Sequence, residues 1–187
     1  IGSKSNLGYV DGERLNIIDM PRLRGLEIKS ISDFDEGKLL IATNQDVLVY
    51  DVDEESLLPL VDNRLLDTNG QVNIESIYYN SSLKQLWIGT VESGVFFYDV
   101  ERRKLVSIDN QQMRFNPILT ILPISEHLLF VGTDGAGAWL IDQKELGVLQ
   151  AFRQQEGIEF TLSGDGVYDI FRDREGRVWI STYSDGV

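Results

Sequence analysis

The chain has no cysteine among its 187 residues. Disulfides and thiolate chemistry are therefore excluded, both for holding the fold and for catalysis. It has one histidine, His127. A lone imidazole after Ser125-Glu126 reads as a structural residue, and no Ser-His-Asp constellation assembles around it. Positive charge is scarce as well: 17 Lys and Arg stand against 30 Asp and Glu, for a net charge of −13. Such a surface repels phosphate backbones and anionic bilayers, which argues against nucleic acid and against direct membrane contact. Its plain consequence is solubility. No run approaches the roughly 18 to 20 apolar residues of a membrane span, no leader opens the chain, and no window sustains a helical stripe over three turns. Both ends fall inside repeated units, so the chain reads as a segment of a longer parent, and missing signals carry no weight for that parent.

What is present is a set of short apolar runs rich in Ile, Val, Leu, Tyr and Phe, parted by Gly, Asp, Asn and Ser. With 42% of its residues hydrophobic, the chain can build one globular unit with a core from strands and tight turns. One stretch recurs. Leu86-Trp87-Ile88-Gly89-Thr90 is followed by Gly94 and Val95-Phe96-Phe97-Tyr98-Asp99. Phe130-Val131-Gly132-Thr133 is followed by Gly137 and Ala138-Trp139-Leu140-Ile141-Asp142. Leu40-Ile41-Ala42-Thr43 precedes Val47-Leu48-Val49-Tyr50-Asp51, Trp179-Ile180-Ser181-Thr182 precedes Gly186, and Ile1-Gly2-Ser3 reads as the tail of another copy. Strand-like units that recur every roughly 40 to 50 residues are the mark of propeller blades.

The expected fold is all-β: one β-propeller segment over 1–187, with blades of four antiparallel strands named A to D from the inside outward. A partial blade spans 1–27, complete blades span 28–73, 74–117 and 118–166, and a second partial blade spans 167–187. The complete blades place strands at 28–32, 38–43, 47–51 and 57–61; at 74–79, 85–90, 95–99 and 104–108; and at 118–123, 127–133, 137–142 and 146–152. The partial blades place them at 7–10 and 15–18, and at 167–171 and 177–182. Three complete blades plus two half blades allow two architectures. The halves join and close a four-bladed ring, within the known range of about 4 to 8 blades, or the chain is an arc of a larger propeller. An arc leaves apolar end faces and predicts association of the isolated chain.

Local chemistry supports the repeat. In strand B, Trp87 and Gly89 point to one face while Ile88 and Thr90 point to the other. Stacked blades bury both faces, and a large residue beside a small one lets sheets interlock. The turn Asp173-Arg174-Glu175-Gly176 has a capping carboxylate first and Gly fourth, as a type I turn asks. Gly94, Gly137 and Gly186 fall in B–C turns that call for positive φ; Asn44-Gln45-Asp46 is shorter, with Asn expected in that conformation. Charged C–D turns such as Asp53-Glu54-Glu55 discourage edge pairing.

Other patterns give way to bland readings. Asp33-Phe34-Asp35-Glu36-Gly37 alternates carboxylates but lacks the downstream bidentate Glu of a calcium loop, and reads as a hairpin turn. So does Asp51-Val52-Asp53-Glu54-Glu55. Gly132-Thr133-Asp134-Gly135-Ala136-Gly137 has no following helix to cradle phosphate. Trp87, Trp139 and Trp179 recur at matching places and read as packing. No catalytic residue, metal site or cofactor is assigned. The expected ligand face carries the B–C turns and the D–A linkers 62–73, 109–117 and 153–166, with Glu92, Asp134, Tyr183, Arg114, Phe115 and Phe160, where aromatics stack on sugar rings and charged groups bond hydroxyls. The competing expectation is that Phe115 and Phe160 fold inward as plugs.

The run 173–182, Asp173-Arg174-Glu175-Gly176-Arg177-Val178-Trp179-Ile180-Ser181-Thr182, with Gly186-Val187 behind it, resembles the two-component regulator propeller repeat, as does Leu86 to Thr90 with Gly94-Val95. Leu40 and Phe130 replace the Trp of that pattern, and Asn80-Ser81-Ser82-Leu83 and Ser125-Glu126 replace its Asp-x-x-Gly turn. The resemblance implies the extracytoplasmic sensor region of Bacteroidetes hybrid two-component systems. It implies a non-catalytic, periplasmic segment that responds to poly- or oligosaccharide, followed in the parent by an immunoglobulin-like domain, a membrane helix and a histidine kinase. Further blades of the parent chain and a homodimer are the other implied partners. The alternatives are a propeller lactonase or lyase, for which inner strands offer only Glu75 and Asp169 as acids, and a protein–protein scaffold.

Overall fold

The structure is a computed structural model and describes residues 2–3, 6–61, 66, 72–108, 110–159 and 161–183. Its strands form five antiparallel sheets. The first holds β1 (Gly2–Ser3), β2 (Asn6–Asp11) and β3 (Arg14–Ile18). The second holds β4 (Ile28–Asp33), β5 (Lys38–Thr43), β6 (Val47–Asp51) and β7 (Ser56–Val61). The third holds β8 (Ile74–Asn80), β9 (Gln85–Thr90), β10 (Val95–Asp99) and β11 (Lys104–Ile108). The fourth holds β12 (Ile118–Pro123), β13 (Leu128–Thr133), β14 (Ala138–Asp142) and β15 (Gly147–Phe152), and the fifth holds β16 (Val167–Arg172) and β17 (Val178–Thr182). In every sheet the strands pair in chain order, as up-and-down blades do. The first strands β4, β8, β12 and β16 pack side by side in succession and make the inner edge. The two end sheets stay separate rather than merging into one blade, so the described residues form an open arc and not a four-bladed ring.

Apolar residues fill each space between sheets. Leu86 and Ile88 of β9 face Leu40, Ala42 and Val47 of the preceding sheet. Trp87, between them in sequence, faces Ile118, Leu129 and Val131 of the following one. Both faces of β9 are thus buried, which is why the strand reads as an unbroken apolar run. Gly89 explains the small partner of Trp87: a Cβ there would meet Ile118 Cγ2 at 2.5 Å. Gly132 is its counterpart, with Thr120 Cγ2 at 2.6 Å and Val167 Cγ1 at 2.8 Å from such a Cβ. Trp87 and Trp139 are buried. Trp179 departs from the packing expectation: it is 46% exposed on the last sheet, its indole N–H donates to Asp173 at 2.8 Å, and Arg177 lies over its ring.

The turns follow a rule the sequence showed only in part. Thr43, Thr90 and Thr133 end strand B in three blades, all buried. The Thr90 hydroxyl donates to the Gly94 carbonyl at 2.8 Å and accepts from the Ser93 N–H. Thr133 does the same with Gly137 and Ala136, and Thr43 with Asp46. Gly94 and Gly137 take positive φ as expected. Asn44 does not; its side-chain carbonyl instead accepts the Glu27 N–H at 2.9 Å. In the C–D turns Asp51 accepts from the N–H groups of Asp53 and Glu54, and Asp142 from those of Lys144 and Glu145. These bonds hold both carboxyls below the usual carboxylate range, the Glu54 N–H leading at Asp51 and the Glu145 N–H at Asp142.

Candidate functional site

The inner strands begin on the side where the B–C turns emerge. There each carries the same irregularity. Pairing between β4 and β5 skips from Ile28 to Ser30, between β8 and β9 from Ile74 to Ser76, between β12 and β13 from Ile118 to Thr120, and between β16 and β17 from Val167 to Asp169. One residue per strand is therefore bulged out of the ladder: Lys29, Glu75, Leu119 and Tyr168. A bulge re-aims its side chain and sharpens the local twist. Two neighbours of this series touch: Lys29 Nζ lies 3.1 Å from Glu75 Oε2 and 3.6 Å from Glu27 Oε2. Burial pulls the Lys29 ammonium down, but the bond to Glu75 and the charges of Glu75 and Glu27 outweigh it and leave its pKa raised.

The expected ligand residues fall into two groups. Glu92 and Asp134 are exposed on B–C turns, and Arg114 is exposed at the end of the short helix α1 (Gln111–Arg114). Gly94 brings the Glu92 turn onto that helix, since a Cβ on it would lie 3.3 Å from Arg114 Cα. Farther along, a Cβ on Gly166 would lie 3.3 Å from Tyr183 Cβ and 3.5 Å from Asp134 Oδ1, so Asp134 and Tyr183 flank one point. Tyr183 stacks on the bulged Tyr168, with centroids 5.5 Å apart and planes at 25°. Phe115 is 76% exposed, so it is no plug; buried Met113, two residues earlier, fills that role against Trp87 and Trp139. Leu23 and Leu66 are likewise buried within linkers. Phe160, Gly186 and Val187 lie outside the described residues, as does most of the linker 62–73.

α1 has a local cause. The Asn110 side chain accepts the N–H groups of Gln112 and Met113 and starts the turn. A four-residue helix leaves no periodic stripe, which is why a sequence reading passes over it. A sequence reading passes over the bulges too, because Ile-x-Ser-Ile is compatible with a regular strand. A signal exists: the second position changes chemical class in every copy while the first and fourth stay aliphatic.

The opposite side, where the A–B turns emerge, is latched. Phe34 packs on Tyr79 with centroids 4.6 Å apart, and Asp35 pairs with Lys84 at 3.0 Å. The Asn80 amide donates to the buried Gln143 side chain at 3.1 Å, and Arg172 donates to the Ile124 carbonyl. A polar cleft of about 540 Å³ lies there between Tyr78, Ser82, Glu126 and Arg172. Among the described residues no three His, Cys, Asp or Glu side chains converge as metal ligands, and no helix is long and apolar enough to cross a membrane.

Stacked four-stranded sheets around an inner edge of single strands define a propeller-type repeat protein. Residues 161–184 match the family model for the two component regulator propeller, across the Asp173 turn and the Trp179 strand, so the chain carries such a repeat. In fold it is similar to the extracellular domain of the protein described as hybrid two component system BT4673 from B. thetaiotaomicron: 17% identity and TM-score 0.76, over 97% of this chain and 24% of that one. The extracellular domain of BT3049, described as a hybrid two component system of the same organism, gives 17% identity and TM-score 0.67 over 100% of this chain and 25% of that one. A chain of the Mitotic Checkpoint Complex gives 14% and 0.59 over 82% of this chain and 46% of that one. No curated protein sequence matches the chain. The chain thus spans about a quarter of the length of the two extracellular domains. At these identities the likeness is one of fold, and the fold serves unrelated tasks.

Proposed function

We propose that the chain is a non-catalytic sensing segment from the periplasmic input region of a two-component histidine kinase, and that its ligand is a poly- or oligosaccharide. The observation that carries this reading is the regulator-propeller match at 161–184, set in an arc that is blades throughout its described length. Glu75, one of the few acids the inner strands could offer an enzyme, is tied to Lys29, which favours a binding module over a lactonase or lyase. The ligand side is the one bearing Asp134, Tyr183, Arg114 and Glu92. Calorimetric titration of the chain with an oligosaccharide panel tests this. A saturable heat that weakens in Arg114→Ala and Tyr183→Ala is expected; unchanged affinity in both removes these residues from the site. Coding sequence flanking the segment should hold further repeats, a membrane helix and a kinase, and a parent without either of the last two would end the receptor reading.

The end sheets support a second partner. Leu15 and Ile17 on the first sheet, and Phe171 on the last, are exposed apolar side chains. Further blades of the parent chain are the occupants this reading assigns to both faces.

A further inference from the structure

The four bulges repay comparison within the chain itself. Around each bulge the aliphatic positions of the frame keep their chemistry. The preceding residues Ile28, Ile74, Ile118 and Val167 are all buried. The residues two places after the bulge are Ile31, Ile77, Ile121 and Ile170. The residue directly after it is Ser30, Ser76 and Thr120 in three copies and Asp169 in the fourth, and in β8 its hydroxyl donates to the Ile118 carbonyl of the next blade at 2.8 Å. Packing therefore constrains the frame in every blade. The bulged position differs in every copy, running through cation, anion, aliphatic and aromatic: Lys29, Glu75, Leu119, Tyr168. A position freed from the ladder, re-aimed by the bulge and varied in each copy is not serving packing.

The geometry also makes these positions one rim. Lys29 reaches Glu75 across the blade boundary, which gives the spacing between neighbouring bulges, and β8, β12 and β16 continue the same inner edge. Tyr168 closes the series with one ring face against Tyr183, beside Asp134.

We propose that Lys29, Glu75, Leu119 and Tyr168 form the specificity-determining rim of the binding site, built for a polyhydroxylated ring with an apolar face. Tyr168 and Leu119 meet the C–H face of such a ring. The Lys29–Glu75 pair, held by Glu27, presents a fixed donor and acceptor to its hydroxyls, and that fixity lowers the ordering cost of binding. This rests on the sugar-sensing reading above and goes beyond it by naming the residues that select the sugar.

The test uses the purified chain and a panel of neutral, amino and uronic oligosaccharides, with affinities from calorimetry and folding from thermal melts. The double swap Lys29→Glu with Glu75→Lys keeps an ion pair but reverses its order. It should reorder the preferred sugars with only a small fall in melting temperature, since the carboxylate at position 29 then faces Glu27. Tyr168→Ala, on an exposed side chain, should weaken every sugar about tenfold or more, equivalent to about 1.4 kcal/mol. Ser82→Ala and Glu126→Gln in the opposite cleft should change nothing. If the swap melts early, Tyr168→Ala decides alone. Sugar binding that survives the rim changes, or is lost with the cleft changes, overturns the rim and leaves sugar sensing intact. A wild-type chain that binds no member of the panel overturns both.

Discussion

Single residues explain why the repeat tolerates so little change at some places and so much at others. Gly89 sits where a methyl group would press on Ile118 of the next blade. Gly89→Ala should therefore destabilise the chain by about 1–3 kcal/mol through overpacking, seen as a lower urea midpoint. The C–D aspartates make a different prediction. Asp51 and Asp142 hold backbone N–H groups in their charged form, and their pKa values are depressed. Their contribution is thus fully present above the unfolded carboxylate value of about 3.9 and is lost as pH falls through the folded values. Asn accepts the same N–H bonds without titrating. Asp51→Asn with Asp142→Asn should accordingly keep much of the stability at neutral pH while flattening its decline under acid, which denaturant titrations at a series of pH values will show. Of these roles, the glycine's was readable from the large-small alternation in strand B. The threonine hydroxyl in the B–C turn was not, because a Thr at a strand end looks like any β-branched strand residue.

At the scale of elements, the strands were legible and the linkers were not. Apolar runs bounded by Gly and Asp place β9, β10 and β11 within a residue of where a sequence reading puts them, since period and turn chemistry are local properties. α1 depends on a single cap and on the hole its third residue fills. Asn110→Ala should cost about 1 kcal/mol and Met113→Ala about 2–5 kcal/mol, so the larger loss in thermal or urea unfolding belongs to the plug. Reversed sizes would mean that the cap and not the packing holds the linker. The fully buried Gln143 is the other element-level surprise. In a turn with Lys144 and Glu145 it reads as solvated, yet it accepts from Asn80 of the neighbouring blade and donates to the Ser125 and Glu126 carbonyls.

For the whole molecule, the decisive feature is that every sheet is stabilised by the next. The inter-sheet clusters around Tyr50, Ile88, Trp139 and Ile170 form a series in which no blade is buried by its own residues alone. The end sheets lack one such partner among the described residues, and they expose Ile17 and Phe171. The isolated chain should therefore associate in a concentration-dependent way, and Ile17→Lys with Phe171→Glu should shift it toward monomer in light-scattering measurements. A chain that stays monomeric without those changes would show the end faces to be adequately solvated.

From residue order alone came the repeat, the strand pairs within each blade, the burial of both sheet faces and the resemblance of the 173–182 run to a regulator-propeller repeat, because all of these are written in short windows of size, polarity and turn chemistry. Only the folded arrangement decided that the two partial blades stay apart, that Met113 and not Phe115 seals a linker, and that four bulges share one register along the inner edge. Those outcomes depend on which blade lies beside which, and on distances between residues more than forty positions apart, such as Ser76 and Ile118. No local window contains that information.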